Sequence, residues 1–259
     1  MATARSTTRW PRDVHTLAID IGGSGFKAAV LDALGQMVSE RVRVDTPYPC
    51  PPEQLVRTLQ DLVSSLDGSY HRVSVGFPGL VRAGHVHNIP SLSRARYGGP
   101  PDPGLVALWH GFDLAGALSA SFAVPVKVAN DADVQGCAVV EGDGFEFVVT
   151  LGTGTGTALF YRGQLLPHME LGHAPFRKGG TFEDHLGNAA RKRLGNQRWS
   201  RLVIEAIEAY DRFVFFDRVY LGGGNTKHLC EPLPAKAVVV PNTAGILGGV
   251  KLWTMDVVG

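Results

Sequence analysis

Two short apolar runs joined by a glycine-rich turn occur near the start of the chain, and the same pattern returns in its second half. Thr16–Ile21 and Phe26–Leu31 flank the turn Gly22–Gly25, and Phe145–Leu151 and Ala158–Tyr161 flank a run of alternating Gly and Thr. Short apolar runs bounded by glycine are typical of β-hairpins. Because one such unit lies near the start of each half, the sequence predicts two related α/β lobes with a cleft between them.

Apolar spacing in the remaining chain predicts an alternation of helices and strands. The further predicted strands are Met37–Asp45, Val73–Phe77, Val126–Ala129, Val219–Leu221 and Val238–Val240. The predicted helices are Glu53–Leu66, Asp113–Phe122, Arg198–Phe213 and Ala244–Trp253. Ser91–Gly104, rich in Arg, Gly and Pro, is expected to be an irregular surface loop. We expect a disordered tail over 1–13, lobes over 14–128 and 129–245, and a C-terminal helical segment, 246–259, that packs back on the first lobe.

The charge balance excludes several classes of partner. The chain has 259 residues, with 25 Lys+Arg against 24 Asp+Glu and a formal net charge of +1. A near-neutral protein has no whole-molecule attraction for nucleic acid or for an anionic membrane, so neither is expected as a partner. The sequence has no run of roughly 18 apolar residues, as a membrane helix requires, and its N-terminus lacks the apolar core of a secretory signal. We therefore expect a cytoplasmic protein.

The three cysteines give no sign of a metal or disulfide framework. Cys50, Cys137 and Cys230 lie far apart, and no Cys-x-x-Cys pair occurs. This spacing excludes a zinc ribbon and a thioredoxin-type motif, and an odd number does not fit a set of disulfides. Free thiols in a reducing compartment are expected.

Basic residues concentrate in one stretch of this otherwise neutral chain. They are Arg177, Lys178, Arg191, Lys192, Arg193, Arg198 and Arg201. Charges spaced along such a stretch are able to hold an extended polyphosphate, whereas charge runs are most often the solvated face of a helix. The sequence leaves both interpretations open.

The glycine-rich turns do not match the common nucleotide-binding motifs. A Walker A loop needs Gly-Lys followed by Ser or Thr, which the sequence lacks, and a dinucleotide fingerprint needs three glycines that open a helix. Gly152, Gly154 and Gly156 alternate with threonines instead, a period of two that favours a hairpin. Glycine at such positions lets an anion approach the backbone N–H groups. A plain tight hairpin explains the pattern equally well.

Six motifs follow one another along the chain. They are Asp20–Lys27, Gly76–Gly79, Asn130–Asp133, Leu151–Gly156, Glu170–His173 and Leu221–Gly224. In this combination the chain resembles the ROK sugar kinases of the actin-like ATPase superfamily from about Thr16 to Trp253. It is most similar to the polyphosphate glucokinases, because Lys27 comes later than in many ROK kinases and no cysteine-rich zinc motif follows Glu170–His173. The resemblance implies a two-lobed actin-like ATPase (ribonuclease H-like) α/β fold with a central cleft.

The resemblance assigns Asp131 as the base that accepts the proton of the sugar 6-hydroxyl. A carboxylate suits this role because it holds the hydroxyl in line until transfer makes it acidic. From the residues alone, Asp131 is also explained as the N-cap of a helix at a strand–helix junction. Asp133 is expected to support this region or to cap the helix.

The sugar hydroxyls are implied, by the same resemblance, to meet four polar side chains: Asn130, Glu170, His173 and Glu183. Glu170 and His173 are three residues apart, so both are able to reach one sugar from a turn or short helix. Metal ligation by this pair is the weaker alternative, because spacing places no third ligand. Glu183 is also explained as a solvated carboxylate at a helix start. Asn88 lies near a further sugar-contacting stretch of the family.

On the donor side, the resemblance implies a magnesium ion (Mg2+) held by Asp20, directly or through water. The phosphate-donor site is implied at Gly22, Gly23, Ser24, Lys27, Gly152, Thr153 and Gly154, and, where relatives bind adenosine, at Gly222, Gly223 and Gly224. An ordinary strand-to-helix turn is the alternative explanation of the last three glycines.

These residues imply a glucokinase that transfers a phosphoryl group from inorganic polyphosphate, ATP or both to the 6-hydroxyl of glucose. An ATP-dependent kinase for another hexose, such as mannose or an N-acetylhexosamine, is the alternative, since Ser91–Gly104 departs from the family. A non-catalytic sugar sensor is less favoured, because the segment before the first strand is too short for a helix-turn-helix unit. By resemblance we expect a homodimer.

Overall fold

The computed structural model of the chain describes residues 10–241 and 244–255, so most of the predicted tail lies outside the described residues. The strands are β1 (Thr16–Ile21), β2 (Phe26–Leu31), β3 (Val42–Val44), β4 (Arg72–Phe77), β5 (Leu80–Arg82), β6 (His85–Asn88), β7 (Val126–Asn130), β8 (Phe145–Leu151), β9 (Thr155–Tyr161), β10 (Gln164–Leu165), β11 (Pro175–Arg177), β12 (Gly180–Thr181), β13 (Arg218–Gly222) and β14 (Ala237–Val239).

The helices are α1 (Pro52–Ser64), α2 (Pro103–Trp109), α3 (Leu114–Phe122), α4 (Asp131–Val139), α5 (Phe182–Leu186), α6 (Asn188–Leu194), α7 (Asn196–Val214) and α8 (Ala244–Lys251). Single turns of 3-10 helix occur at Leu171–His173 and Thr226–His228. Within the described ranges, no helix is long and apolar enough to cross a membrane.

Two five-stranded sheets repeat one arrangement, as the paired glycine hairpins predict. Their strand orders are β3-β2-β1-β4-β7 and β10-β9-β8-β13-β14. In each sheet an antiparallel hairpin, β1–β2 or β8–β9, is followed by parallel strands. Because parallel strands end at the same edge of a sheet, the segments that follow β1, β4 and β7 lie side by side. The predicted motifs occupy this edge.

Each sheet packs its own apolar core. On the first sheet, α1 buries Leu55, Leu59 and Leu62 in a cluster that includes Phe77. On the second sheet, α7 buries one face, including Tyr210, against the strands. Apolar residues at this spacing predict both helices, and the predicted bounds differ from the observed ones by at most two residues.

Helices α4 and α8 join the two sheets. Helix α4 contacts β4 and β7 of the first sheet and β8, β9 and β13 of the second, and α8 packs on α4, β1, β2 and β4. A Cβ at Gly248 of α8 would lie 1.6 Å from the carbonyl oxygen of Val134 in α4, so only glycine permits this crossing. Trp253, beyond α8, packs edge-on against Trp10 at 5.4 Å between ring centroids. Residues 256–259 of the predicted C-terminal segment lie outside the described residues.

The strand predicted over Met37–Asp45 is wrong over its first part. Only Val42–Val44 forms a ladder, and Met37 makes a single bridge with Leu31. The hydroxyl of Ser39 accepts a hydrogen bond from the N–H of Val30 at 2.9 Å. A side chain therefore takes the place of the neighbouring strand at this point of the ladder.

Apolar spacing does not predict helix α4, which the sequence indicates only through the strand–helix junction at Asp131, and it does not predict the hairpin β5–β6. Residues Ala132 to Cys137 of α4 are all buried, because both sheets and α8 surround the helix. A helix that is buried on every side has no apolar stripe and hence no 3.6-residue period. In β5–β6 the register shifts between Leu80 and Val81, which removes the alternation by which a hairpin is recognised.

Candidate active site

A cleft of about 580 Å³ lies between the glycine turns of the two sheets. Of the residues predicted from the sequence, it brings together Gly22, Gly23, Ser24, Asn130, Asp131, Gly152, Thr153, Gly154, Glu170, His173 and Glu183. Asp20, Lys27, Asn88 and the turn 222–224 are not among the residues that line it. A cleft of this size is typical of a site for a small molecule.

The junction of β7 and α4 presents Asn130 and Asp131 to the cleft. Asn130 is the N-cap of α4, because its Oδ1 accepts a hydrogen bond from the N–H of Ala132 at 2.8 Å. Its Nδ2 donates to the carbonyl of Gly79 at 3.1 Å, which joins the ends of β7 and β4. Asp131 is the first residue of the helix. The alternative that Asp131 is the N-cap is therefore wrong.

The carboxylate of Asp131 is exposed at the cleft but surrounded by protein and by other acids. Desolvation by the protein atoms around this carboxyl, followed by the negative charge of Asp20, raises the pKa of Asp131 to about 7. Asp133 and Glu170 act in the same direction, and the hydrogen bond from the N–H of Ala132 opposes them. A carboxylate with a pKa near neutrality is matched to general-base catalysis at neutral pH.

Glu170 and His173 lie at the two ends of the 3-10 turn Leu171–His173 and both line the cleft. A Cβ on Gly172, between them, would lie 2.1 Å from the carbonyl oxygen of Thr155. Glycine is needed there for the turn to approach β9 so closely. The 3-10 turn therefore brings both side chains to one cleft, as their spacing predicts.

Glu183, the second residue of α5, lies beside His173. Its Oε2 is 3.6 Å from Nε2 of His173 and accepts a hydrogen bond from the N–H of Thr155 at 3.4 Å. Helix α5 begins with a capping box in which Thr181 and Asp184 bind each other's backbone N–H groups. The cap fixes the start of α5, and Glu183 therefore joins the other predicted sugar-binding residues at the cleft.

Behind Glu170, His168 and Asp133 form a buried pair that the sequence does not predict. His168 is 7% exposed and Asp133 is 3% exposed. Nδ1 of His168 lies 3.0 Å from Oδ1 of Asp133, and Nε2 lies 3.4 Å from Oε1 of Glu170. Burial alone would lower the pKa of His168, but its contacts with the two carboxylates outweigh burial and raise the pKa to about 10. Conversely, His168 lowers the pKa of Glu170.

The turn Gly22–Gly25, which is predicted to face the phosphate donor and is called the first donor turn, has two N–H groups without a partner in the described part of the protein and carbonyls that accept hydrogen bonds. A hydrogen bond of 3.1 Å from its first N–H to its last carbonyl closes the turn. Thr46 Oγ1 and Tyr48 OH donate to its first two carbonyls, at 2.6 and 2.7 Å. No described residue accepts a hydrogen bond from the N–H groups of Gly23 and Ser24. Adjacent unbonded N–H groups of this kind form an anion-binding concavity.

The second donor turn, residues 152–154 between β8 and β9, also has two N–H groups without a partner among the described residues. The N–H of Gly152 donates to the carbonyl of Gly154 at 3.1 Å, while the N–H groups of Thr153 and Gly154 find no acceptor in the described part of the chain. Asn225 Nδ2 donates to the carbonyl of Gly152 at 2.8 Å. Because Asn225 directly follows the turn 222–224, that turn packs behind the donor turn.

Asp20 and Lys27 face each other on neighbouring strands, β1 and β2. Lys27 Nζ donates a hydrogen bond of 2.9 Å to Oδ2 of Asp20. No group of three or more His, Cys, Asp or Glu in residues 10–241 and 244–255 is arranged to hold a metal ion. Mg2+ is commonly bound by one or two carboxylates together with phosphates and water, so a single carboxylate beside the first donor turn fits this ion.

The loop predicted over Ser91–Gly104 is irregular as far as Asp102, the N-cap of α2, and four of its residues line the cleft: Ser91, Arg94, Tyr97 and Gly98. Tyr48 OH lies 3.2 Å from the carbonyl of Ser91, and the rings of Tyr48 and Tyr97 pack edge-on at 6.2 Å. The loop thus forms one wall of the site. Its composition predicts a loop but not this position.

The basic stretch 177–201 divides into paired and unpaired charges. Arg177 and Arg201 form ion pairs with Glu205 and Glu231, at 2.6 and 3.1 Å. Among the described residues, no carboxylate lies within ion-pair distance of the exposed side chains of Lys178, Lys192, Arg193 and Arg198. Polyphosphate binding by this stretch stays a prediction, now restricted to the unpaired charges.

The sequence matches the model of the ROK family over residues 16–188. It is 27% identical over 252 residues to the polyphosphate glucokinase of Mycobacterium tuberculosis, covering 90% of this chain and 89% of that protein. It is 35% identical over 155 residues to the N-acetylmannosamine kinase of Escherichia coli, covering 58% of this chain and 49% of that protein.

Among solved structures, the inorganic polyphosphate/ATP-glucomannokinase of Arthrobacter sp. strain KM is similar with a TM-score of 0.76. It is 30% identical, and the match covers 92% of this chain and 97% of that one. The predicted two-lobed actin-like fold is confirmed by this likeness. Since the family match spans more than half of its length, the chain belongs to the ROK family.

Proposed function

We propose that this chain is a glucokinase that transfers a phosphoryl group from inorganic polyphosphate, ATP or both to the 6-hydroxyl of glucose. The observation that carries the proposal is that Asp131 lines one cleft together with polar side chains, Asn130, Glu170, His173 and Glu183, and with two pairs of unbonded backbone N–H groups. The names of the relatives, a polyphosphate glucokinase and a polyphosphate/ATP-glucomannokinase, support it.

Glucose is bound through its hydroxyl groups by Asn130, Glu170, His173 and Glu183. A sugar hydroxyl is both a donor and an acceptor, so a site with carboxylate oxygens and an imidazole satisfies both functions. His173 Nε2 and Glu183 Oε2 lie 3.6 Å apart, so the two groups are adjacent before the sugar enters. A site built to bind each hydroxyl rejects sugars that lack one of them.

Asp131 accepts the proton of the 6-hydroxyl as the hydroxyl oxygen forms its bond to the terminal phosphorus of the donor. The bond from that phosphorus to its bridging oxygen breaks, and the bridging oxygen keeps the electron pair. The products are glucose 6-phosphate and a polyphosphate shortened by one unit, or ADP. Positioning and electrostatic stabilisation supply most of the catalysis in phosphoryl transfer.

The donor phosphates lie between the turns 22–25 and 152–154. The N–H groups of Gly23, Ser24, Thr153 and Gly154 donate hydrogen bonds to phosphate oxygens, because no described residue competes for them. Asp20 holds Mg2+, directly or through water, and Lys27 holds Asp20. When bound, Mg2+ neutralises negative charge that develops on the phosphate oxygens.

A kinase for another hexose remains the second candidate, and the loop 91–98 favours it. Arg94 and Tyr97 of this loop line the same cleft as Asn130, so a substituent on the sugar ring would meet them. An N-acetylmannosamine kinase is among the relatives of the chain. Sugar choice therefore depends on a segment that departs from the family.

The test is a panel of glucose, mannose, N-acetylglucosamine and N-acetylmannosamine, each with polyphosphate and with ATP in the presence of Mg2+. We expect sugar 6-phosphate from glucose at the highest kcat/KM. Asp131→Asn serves as the control for contaminating kinases. Absence of transfer to every sugar from both donors contradicts the proposal, and preference for an N-acetylated sugar selects the second candidate.

A further inference from the structure

His168 is buried between two carboxylates that belong to different parts of the active site. Asp133 lies on α4, two residues after Asp131, and Glu170 begins the turn that carries His173. The two ring nitrogens of His168 face one carboxylate each, at 3.0 Å to Asp133 and 3.4 Å to Glu170. One imidazole ring thus connects the helix that carries the base with the turn that binds the sugar.

The position of the His168 ring between two carboxylates favours one protonation state of the imidazole. An ionised carboxylate only accepts hydrogen bonds, and a neutral imidazole has one donor nitrogen and one acceptor nitrogen. A neutral ring would therefore turn a lone pair toward one of the two carboxylates. With both nitrogens protonated, Nδ1 donates its hydrogen bond to Asp133, and Nε2, which has no hydrogen-bond partner among the described residues, turns an N–H toward Glu170 at 3.4 Å. The raised pKa of His168 and the lowered pKa of Glu170 agree with this assignment. Burial raises the pKa of Asp133, and the hydrogen bond and charge of His168 oppose that rise, so the ring also favours the ionised form of Asp133.

Glu170 is thereby restrained at both its backbone and its side chain. The hydroxyl of Thr157 donates to the carbonyl of Met169 at 2.7 Å and accepts from the N–H of Leu171 at 3.2 Å. His168 contacts Oε1 of Glu170 and leaves the other carboxylate oxygen to a ligand. A side chain held in its bound orientation loses little conformational entropy when the sugar binds.

We propose that His168 is a positioning residue of the sugar site, which as an imidazolium joins Asp133 to Glu170 and holds Glu170 ready to accept a sugar hydroxyl. The inference rests on the proposed function for the identity of the ligand, but not for the charge of the ring. The other titratable groups near this cluster are Asp131 at the cleft, Asp20 next to Asp131, and His173 beside Glu170. His168 balances part of the negative charge that these acids share.

The first arm of the test measures the ring itself. Nitrogen-15 NMR of the histidine side chains in the intact protein reports the protonation of each ring nitrogen. We expect both nitrogens of His168 to stay protonated from pH 6 to pH 8.5. A His168 ring with one unprotonated nitrogen at pH 7 overturns the assignment, whatever the protein phosphorylates.

The second arm uses His168→Gln, which keeps a donor for one carboxylate only. We expect the dissociation constant of glucose, measured without a phosphate donor, to rise about tenfold to a hundredfold, the effect of losing a charge-assisted hydrogen bond. The KM for glucose rises in parallel, and the KM for the donor changes less than threefold. This split is expected when a group binds ground state and transition state alike, and a general loss of structure does not produce it.

His71→Gln is the matched control, because His71 is half-buried, accepts a hydrogen bond of 3.0 Å from the N–H of His15, and lies at the start of β4, away from the cleft. We expect this variant to bind glucose as the wild type does. A His168→Gln variant that folds and binds glucose within twofold of the wild type overturns the proposal. If the variant does not fold, the NMR arm alone decides. A wild type that phosphorylates no sugar contradicts the proposed function and leaves the NMR result standing.

Discussion

Lys27 and Asp20 are cross-strand partners in the β1–β2 hairpin, and Lys27 Nζ donates a hydrogen bond of 2.9 Å to Oδ2 of Asp20. Neither side chain lines the cleft itself. We expect the lysine to orient Asp20 through this hydrogen bond. The contact of Lys27 with phosphate stays a prediction.

For Lys27→Met we expect about a tenfold rise in the KM for the phosphate donor and in the Mg2+ concentration needed for half-maximal rate, because a charge-assisted hydrogen bond is worth about 1.5 kcal/mol. The KM for glucose stays unchanged. Initial rates over a matrix of donor and Mg2+ concentrations measure both effects. Lys236→Met is the control, because Lys236 makes a comparable pair with Asp211 at 2.8 Å outside the cleft. An equal effect of both substitutions contradicts the role of Lys27.

For Asp131→Asn we expect kcat to fall roughly 100- to 10,000-fold, the usual contribution of a general base, while glucose still binds. Coupled detection of glucose 6-phosphate measures the rate, and calorimetry measures glucose binding. Asp113→Asn is the control at another helix start, since Asp113 caps α3 by accepting from the N–H of Gly116 at 2.8 Å and asparagine also caps well. Retention of more than a tenth of the wild-type kcat by Asp131→Asn excludes this base.

The pKa of Asp131, which is raised to about 7, predicts how the catalytic rate and the stability of the fold depend on pH. Only the ionised form accepts a proton, so kcat/KM for glucose is expected to fall as pH decreases through 7. The free energy of unfolding changes in the opposite sense. A carboxyl with a raised pKa stabilises the fold below its unfolded pKa, near 4, and this contribution is lost as pH rises through 7.

Asp131→Asn should therefore be more stable than the wild type at pH 8, with a difference that shrinks toward pH 4. Urea titrations at several pH values measure this difference. A constant difference from pH 4 to pH 8 contradicts the raised pKa.

We expect the unpaired charges of the basic stretch to act more strongly on long phosphate donors than on short ones. Simultaneous replacement by alanine of Lys192, Arg193 and Arg198 is expected to raise the KM for long-chain polyphosphate on the order of tenfold at low ionic strength, and the KM for ATP less. The difference should decrease as salt screens the charges. The control removes equal charge from the first lobe through alanine at Arg41, Arg57 and Arg82. Equal effects of the two triple variants refute a specific role of the stretch.

A substitution at Glu146 tests the stability of the fold separately from catalytic activity. It is 1% exposed and accepts hydrogen bonds from the N–H groups of Glu141 and Gly142 and from Tyr220 OH, at 2.7 to 2.8 Å. Glu146→Ala leaves these donors unpaired and should lower the free energy of unfolding by about 3 kcal/mol. Urea denaturation measures the loss, and kcat of the folded fraction should not change. Glu141→Gln, which alters only the exposed pair with Arg218, should cost far less, because exposed ion pairs contribute little to stability.

The hairpins and amphipathic helices were predictable because their signals are local. Strands β1, β2 and β8 begin and end where the apolar runs do, and α1 and α7 show the spacing of a helix with one buried face. Helix α4 was not predictable in this way, since its burial on every side depends on both sheets. The domain boundary after residue 128 and the homodimer stay predictions.

Prediction of the candidate site from the sequence was likewise limited to its local signals. Its glycine turns and the pair Asn130–Asp131 follow from motifs, and the cleft contains them. The contact of His168 with Asp133 joins residues 35 apart in sequence, and the contact of Tyr48 with the carbonyl of Ser91 joins residues 43 apart. No local pattern records such contacts, because they exist only after the sheets have packed.

The contact of α4 with both sheets affects how far apart the two glycine turns lie. Asp131 begins this helix, whereas the two glycine turns 22–25 and 152–154 belong to one sheet each. A rotation of one sheet against the other about α4 would alter the separation of these turns far more than it would displace a carboxylate next to the axis. Such a rotation would thus change the space between the turns and leave Asp131 close to its original position.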